Sequence, residues 1–199
     1  MNDPLGIVLK SFVAALEELH VVYYIGGSVA SMAYGEYRQT SDADLIADLK
    51  PEHIKPLVER LGDEFFIDEM AIRDALRHRH SFNAIHLTEF FKVDVFPLKT
   101  RAYDQEVVRR RLRETIEVEP PVEAYLSTPE DIVLAKLEWF RSGGETSDRQ
   151  WRDITGVLKV NCFDIDIEYL EHWAKELGID DLLKRAFDES GITNEQGQQ

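Results

Sequence analysis

Cysteine is almost absent from this sequence: Cys162 is the only one in 199 residues. That excludes an internal disulfide and any multi-cysteine zinc site, and it fits a reducing, cytoplasmic setting. Long apolar runs are missing as well. The longest uncharged stretch, Val21 to Gly35, is interrupted by glycines and falls short of the ~20 apolar residues that span a bilayer. The opening Met1-Asn2-Asp3-Pro4 carries neither the basic flank nor the apolar stretch of a signal peptide, so a cytoplasmic protein with no membrane partner is expected. Positive charge is scarce. The formal net charge is −15, and residues 161–199 hold ten acids against three bases. A surface this acidic repels phosphate backbones, which argues against non-specific binding to long nucleic acid and favours a plain solubility role for the charge.

What is present is enough for a packed core, with 44% hydrophobic and 10% aromatic residues. Leu5 to Leu19 repeats apolar residues at helical spacing, and Val21-Val22-Tyr23-Tyr24-Ile25 reads as a buried strand that stops at Gly26-Gly27. Ser28 to Tyr34 suits a short helix, Asp44 to Leu49 a second strand, and Pro51 opens a helix to Leu61. Phe65 to Asp68 is a short strand and Ile72 to Arg79 a short helix. Phe82 to Leu87 and Phe91 to Phe96 form a hairpin, Tyr103 to Arg113 a helix, and Thr115 to Val118 an edge strand halted by Pro120-Pro121. Beyond that point the pattern is helical: Pro129 to Arg141, Ser147 to Val160, Ile167 to Leu177 and Asp180 to Glu189. The expected organisation is a mixed α/β part over residues 1–118 and a helical part over 119–199.

The stretch that carries chemistry is Gly26-Gly27-Ser28, followed by Arg38-Gln39-Thr40-Ser41-Asp42-Ala43-Asp44. Glycines between a strand and a helix N-terminus let backbone N–H groups approach an anion, and the Ser28 hydroxyl adds a donor for the same phosphate. Asp42 and Asp44 alternate on an extended segment, so both carboxylates leave on one face, an arrangement suited to hard divalent cations on phosphate oxygens. Asp94, in Lys92-Val93-Asp94-Val95-Phe96, is flanked by apolar residues, where a charge calls for a partner. Taken singly, each is ordinary: a turn, a solvated strand start, an acid paired to a base such as Lys92 or Arg101. As a metal site they must converge on one sheet face, with Gly27 and Ser28 at its rim.

Together, Gly26-Gly27-Ser28, Asp42-x-Asp44 and Asp94 resemble the signature of the DNA-polymerase-β-like nucleotidyltransferase superfamily. The resemblance covers the α/β part. It implies an α/β (α+β) nucleotidyltransferase fold, a mixed sheet with flanking helices, followed by a C-terminal helical bundle. Arg38-x-Thr40-x-Asp42-x-Asp44 is similar to the bacterial group that includes AbiEii-type toxin nucleotidyltransferases, which implies nucleotide contacts at Arg38 and Thr40, a toxin-like role and an antitoxin partner. Pro129-Glu130-Asp131-Ile132-Val133-Leu134-Ala135-Lys136, then Arg152-Asp153-Ile154, is similar to that group's downstream motif. By that resemblance Lys136 reaches the triphosphate and Asp153 supports it. Asp42 and Asp44 would hold Mg²⁺ (or Mn²⁺) on a nucleoside triphosphate, and Asp94 would bind a second metal and help deprotonate an acceptor hydroxyl. NMP is transferred and pyrophosphate released. The acceptor stays open between RNA, a protein side chain and a small molecule.

Rival readings are an NTP-binding regulatory or antitoxin-partnered module with little turnover, and a metal-dependent phosphohydrolase. The second lacks a His-Asp cluster beside the carboxylates. Arg109-Arg110-Arg111-Leu112-Arg113 is read as a solvated helix face paired with Asp104, Glu106 and Glu114 rather than an RNA contact. His78-x-His80 has no evident supporting ligands and is read as surface. Trp139, Trp151 and Trp173 are expected to pack in a helical core.

Overall fold

A computed structural model describes residues 3–35 and 40–192 of the chain. It divides into two compact units, one of Met1–Val29 with Gln39–Ser127 and the other of Ala30–Arg38 with Thr128–Gln199.

The first unit opens with α1 (Pro4–Glu18), whose N-terminus is capped by the Asp3 carboxylate accepting from Leu5 N–H, with Pro4 in the first turn where its missing N–H costs nothing. Its Val8, Leu9, Phe12 and Leu16 are wholly buried, the stripe a 3.6-residue period requires. The chain continues through β1 (Tyr23–Ile25) into α2 (Gly27–Tyr34), within which the division between units falls. Then follow β2 (Asp42–Ala47), α3 (Pro51–Leu61), β3 (Phe65–Phe66), α4 (Glu69–His78), β4 (Phe82–His86), β5 (Lys92–Pro97), α5 (Ala102–Arg110), β6 (Leu112–Ile116) and β7 (Val122–Leu126). The described strands form one mixed seven-stranded sheet in the order β3-β4-β5-β2-β1-β7-β6. Hairpin β4–β5 is antiparallel as its sequence predicts, whereas β2 and β5 lie parallel, as do β1 and β7.

Two local expectations change. Leu112 and Arg113 leave the helix and begin the edge strand β6. β7 has no counterpart in the sequence reading, and it carries the sheet past residue 118, so the first unit ends at Ser127. Its pairing partners decide it: Ile25 on one side and the run Leu112 to Ile116 on the other give five short residues a ladder they could not make locally.

The second unit holds α6 (Pro129–Ser142), α7 (Asp148–Val160), α8 (Ile167–Leu177) and α9 (Asp180–Ser190), with side-chain caps from Thr128, Ser147 and Asp166 on the first three. Leu134, Leu137, Ile154, Val157, Leu158 and Leu170 are its wholly buried centre. Trp151 packs against Phe140 and donates from Nε1 to Glu189 at 2.6 Å. Trp139, expected in this core, is 57% exposed because it falls off the stripe of Val133, Leu137 and Phe140. Among the described residues no helix is long and apolar enough to cross a membrane.

Candidate active site

Alternation along β2 and β5 sorts their side chains by face. Ala43, Leu45, Val93 and Val95 are wholly buried, while Asp42, Asp44, Lys92 and Asp94 are half-buried on the other face. The parallel register makes Asp44 the partner of Asp94 and Asp42 the partner of Lys92, so partners project from the same face. Three carboxylates from two strands therefore converge. Across the β4–β5 hairpin Asn83 is the partner of Asp94, extending the row to Asn83, Asp94 and Asp44.

Gly26 and Gly27 close the other flank. Gly26 N–H donates to the Asp44 carbonyl at 2.9 Å, continuing the β1–β2 ladder for one more residue. Gly27 then turns into α2 with φ +55°, a left-handed conformation that costs glycine nothing. A Cβ at Gly27 would stand 1.8 Å from Asp44 Oδ2 and 2.6 Å from its Cγ. No side chain fits there: the glycine is required both by its φ and by the carboxylate pressed against it. Ser28 follows in the first turn of α2, half-buried. Thr40 Oγ1 donates to Asp42 Oδ1 at 3.0 Å and lies 3.1 Å from the Asp42 carbonyl, which orients the first carboxylate. Arg38 lies outside the described residues.

Lys92 is the residue the sequence reading passed over, except as a local base. Its Nζ lies 2.6 Å from Asp94 Oδ2. The hydrogen bond to Asp94 holds the Lys92 ammonium above its ordinary range; partial burial opposes this, and the charges of Asp94, Asp42 and Asp44 add to it. Asp94 thus has its local base and also meets Asp44. The signal for Lys92 was its spacing, two residues before Asp94 on one strand. Asn83 had no such signal, since only the hairpin register brings it across. Arg101 is engaged elsewhere, 2.6 Å from Asp104.

Asp42, Asp44 and Asp94 share this face with the Lys92 ammonium, which pairs with Asp94. An all-oxygen, strongly anionic donor set suits a hard divalent cation, and the bare Cα of Gly27 lets the Asp44 carboxylate lie against the start of α2.

In the second unit, Lys136 on α6 is buried and its Nζ lies 2.8 Å from Asp153 Oδ2 on α7, with side-chain exposures of 9% and 11%. The pair bridges two helices that pack against each other, and Leu134, Leu137, Ile154 and Leu158 on them are wholly buried. The basic run near residue 110 does not form one face. Arg109 pairs with Glu106 on α5, Arg111 sits 4.5 Å over the Tyr125 ring, and Arg113 on β6 reaches Glu17 and Glu123, each at 3.4 Å.

Neither a family model nor a curated protein matches the sequence. Solved structures do. A nucleotidyltransferase-like antigenic protein from Paracoccidioides brasiliensis aligns with TM-score 0.55 at 17% identity, covering 94% of this chain and 93% of that one. The chain has the nucleotidyltransferase fold. A second structure of that fold, ANT(2″)-Ia in complex with adenylyl-2″-tobramycin, aligns with TM-score 0.54 at 14% identity over 88% of this chain and 97% of that one. In the nucleotidyltransferase fold of this chain, the mixed sheet is what carries Asp42, Asp44 and Asp94 on neighbouring strands.

Proposed function

We propose that this protein is a metal-dependent nucleotidyltransferase that moves NMP from a nucleoside triphosphate to an acceptor hydroxyl. The observation that carries this is the parallel register of Asp44 and Asp94, with Asp42 on the same face and Gly27 against Asp44. Likeness to a structure holding an adenylylated product, adenylyl-2″-tobramycin, supports the reaction class and makes a small-molecule acceptor the first to test.

In this reading Asp42, Asp44 and Asp94 hold Mg²⁺ or Mn²⁺. Such ions, when bound, neutralise charge on the phosphate oxygens and on the leaving pyrophosphate. Thr40 keeps the Asp42 carboxylate turned into the site. Gly27 and Ser28 would contribute backbone and hydroxyl donors to the phosphates from the first turn of α2, while Gly26, whose N–H is held by the Asp44 carbonyl, sets the chain's close approach. The acceptor oxygen bonds to the α-phosphorus, the α–β bridging bond breaks, and the hydroxyl proton passes to Asp94. Lys92 donates to Asp94 beforehand, so it orients that carboxylate and must shift as substrate enters.

Nucleotide contacts at Arg38, Lys136 and Asp153 rest on the resemblance of their motifs, as do a toxin-like role, an RNA or protein acceptor and an antitoxin partner. A cytoplasmic site of action fits the single cysteine. A second reading, an NTP-binding module with little turnover, draws on the Lys92–Asp94 ion pair, which occupies the third carboxylate.

The deciding experiment incubates the protein with each α-labelled NTP, Mg²⁺ or Mn²⁺, and either cell extract or a panel of hydroxylated small molecules. Label transferred by the wild type and not by Asp44→Asn or Asp94→Asn supports transfer. Metal-dependent NTP binding without labelled product would select the module. Absence of NTP binding under every condition would overturn both.

A further inference from the structure

The second titratable cluster of the first unit shares no residue with the carboxylate face. Asp74 and His78 stand four residues apart on α4, so they occupy one face of the helix. Arg79 then adopts the left-handed conformation, φ 57°, and its N–H closes the helix onto the Ala75 carbonyl. That reversal brings His80 back beside the last turn. The His78 and His80 rings lie parallel within 3°, and both face the same carboxylate: His78 Nδ1 is 2.9 Å from Asp74 Oδ1, and His80 Nε2 is 2.9 Å from Asp74 Oδ2. One ligand atom from each of the three residues falls within 4.8 Å of the others.

His80 supplies an independent pointer. Its Nδ1 lies 2.9 Å from the Ser81 carbonyl, an acceptor only, so Nδ1 carries a proton. In the neutral ring the lone pair is then on Nε2, aimed at Asp74 Oδ2. At 2.9 Å this contact is bridged by a ring proton on Nε2, and a metal ion would replace that proton as the two groups part. A backbone carbonyl that fixes the tautomer and leaves the other nitrogen pointing at a carboxylate is also the outer arrangement of a metal-bound histidine.

We propose that Asp74, His78 and His80 form a binding site for one divalent transition-metal ion of the zinc class. Two imidazoles and a carboxylate select such an ion over Mg²⁺ or Ca²⁺, which favour oxygen donors alone. Bonds of about 2.0–2.2 Å set tetrahedral ligand atoms about 3.4 Å apart, so the two close contacts open by roughly half an ångström on loading. All three side chains are more than half exposed, which allows that movement and leaves the fourth position to water. The site does not depend on the nucleotidyltransferase reading.

The test is Zn²⁺ titration of metal-free, full-length protein near neutral pH by calorimetry, with millimolar Mg²⁺ present to occupy the carboxylate face. The expected result is one equivalent bound in the wild type, weakened at least tenfold in His78→Gln/His80→Gln, and unchanged in Asp94→Asn. Ring ¹⁵N resonances of His78 and His80 should move on Zn²⁺ addition while those of His20, His53, His86 and His172 stay in place. This readout stands on the wild type alone, should the double variant fold poorly. Equal Zn²⁺ binding by wild type and double variant, loss of the heat in Asp94→Asn, or unmoved His78 and His80 resonances at saturation would each overturn the proposal.

Discussion

Asp44 and Asp94 are register partners on parallel strands, and the Asp44 carboxylate rests against the bare Cα of Gly27. The charge on one strand is therefore held between a second charge and a backbone that admits no side chain. Such an arrangement crowds like charges on one face, which by itself is unfavourable. It is tolerated most readily where a cation completes it.

Gly27→Ala should be damaging out of proportion to its size. The left-handed φ alone costs an L-residue about 1–2 kcal/mol, and the new methyl would have to displace the Asp44 carboxylate. Urea denaturation should show that loss. Nucleotide titration with Mg²⁺ should show no rise in melting temperature, in contrast to the wild type. An alanine variant with wild-type response to Mg²⁺ and NTP would remove Gly27 from the site.

Asp94→Asn and Lys92→Gln should act in opposite directions on cation binding. The first takes one negative charge from the face, so the thermal shift with Mg²⁺ and NTP should vanish, and transfer should fall by roughly 10²-fold or more. Fold stability without ligand should change by no more than about 1 kcal/mol, because the Lys92–Asp94 pair is partly solvated. Lys92→Gln removes the ammonium that competes for Asp94, so Mg²⁺ should bind more tightly. Weaker Mg²⁺ binding in Lys92→Gln would reject this view of the lysine.

Lys136→Ala should destabilise the second unit by about 3–5 kcal/mol, because it removes one partner of a largely buried ion pair. Lys136→Met with Asp153→Leu should recover most of that, since an apolar pair of similar volume avoids the desolvation of both charges. Chemical denaturation of the two variants side by side measures the difference. If Lys136 serves the nucleotide, the double variant is folded and binds NTP poorly. If it serves only packing, the double variant binds NTP as the wild type does.

The contact of Glu189 with Trp151 gives α7 and α9 an acid-sensitive link. Hydrogen bonds from Trp151 Nε1 and then from Arg185 hold the Glu189 carboxyl below its ordinary value of 4.5. A carboxyl lowered in the folded state stabilises fully above the unfolded value, and that stabilisation fades as pH falls through the lowered one. Melting temperatures of wild type and Glu189→Gln should therefore differ most near neutrality and converge in acid below 4.5, with Trp fluorescence reporting the same convergence. A difference that grows on acidification would contradict the assigned direction.

The elements of this protein are mostly legible in its residues because they are local. Helical spacing marks α1 and α6 to α9, capping residues mark the starts of all of these but α9, and Gly26-Gly27 ends β1 because a strand cannot continue through the left-handed φ of Gly27. Alternation alone put Asp42 and Asp44 on one face. What lay beyond the sequence was the register of the strands and the pairing of those distant in the chain. The parallel pairing of β2 with β5 places Asp94 beside Asp44, Asn83 joins by hairpin register, and β7 exists only because β1 and β6 accept it. The Asp74–His78–His80 cluster likewise needed the reversal at Arg79. Period and propensity act over a few residues, whereas register is decided by the whole buried face of the sheet, since a slip of one residue would carry Ala43, Leu45, Val93 and Val95 into the open and Asp42, Asp44 and Asp94 into the core.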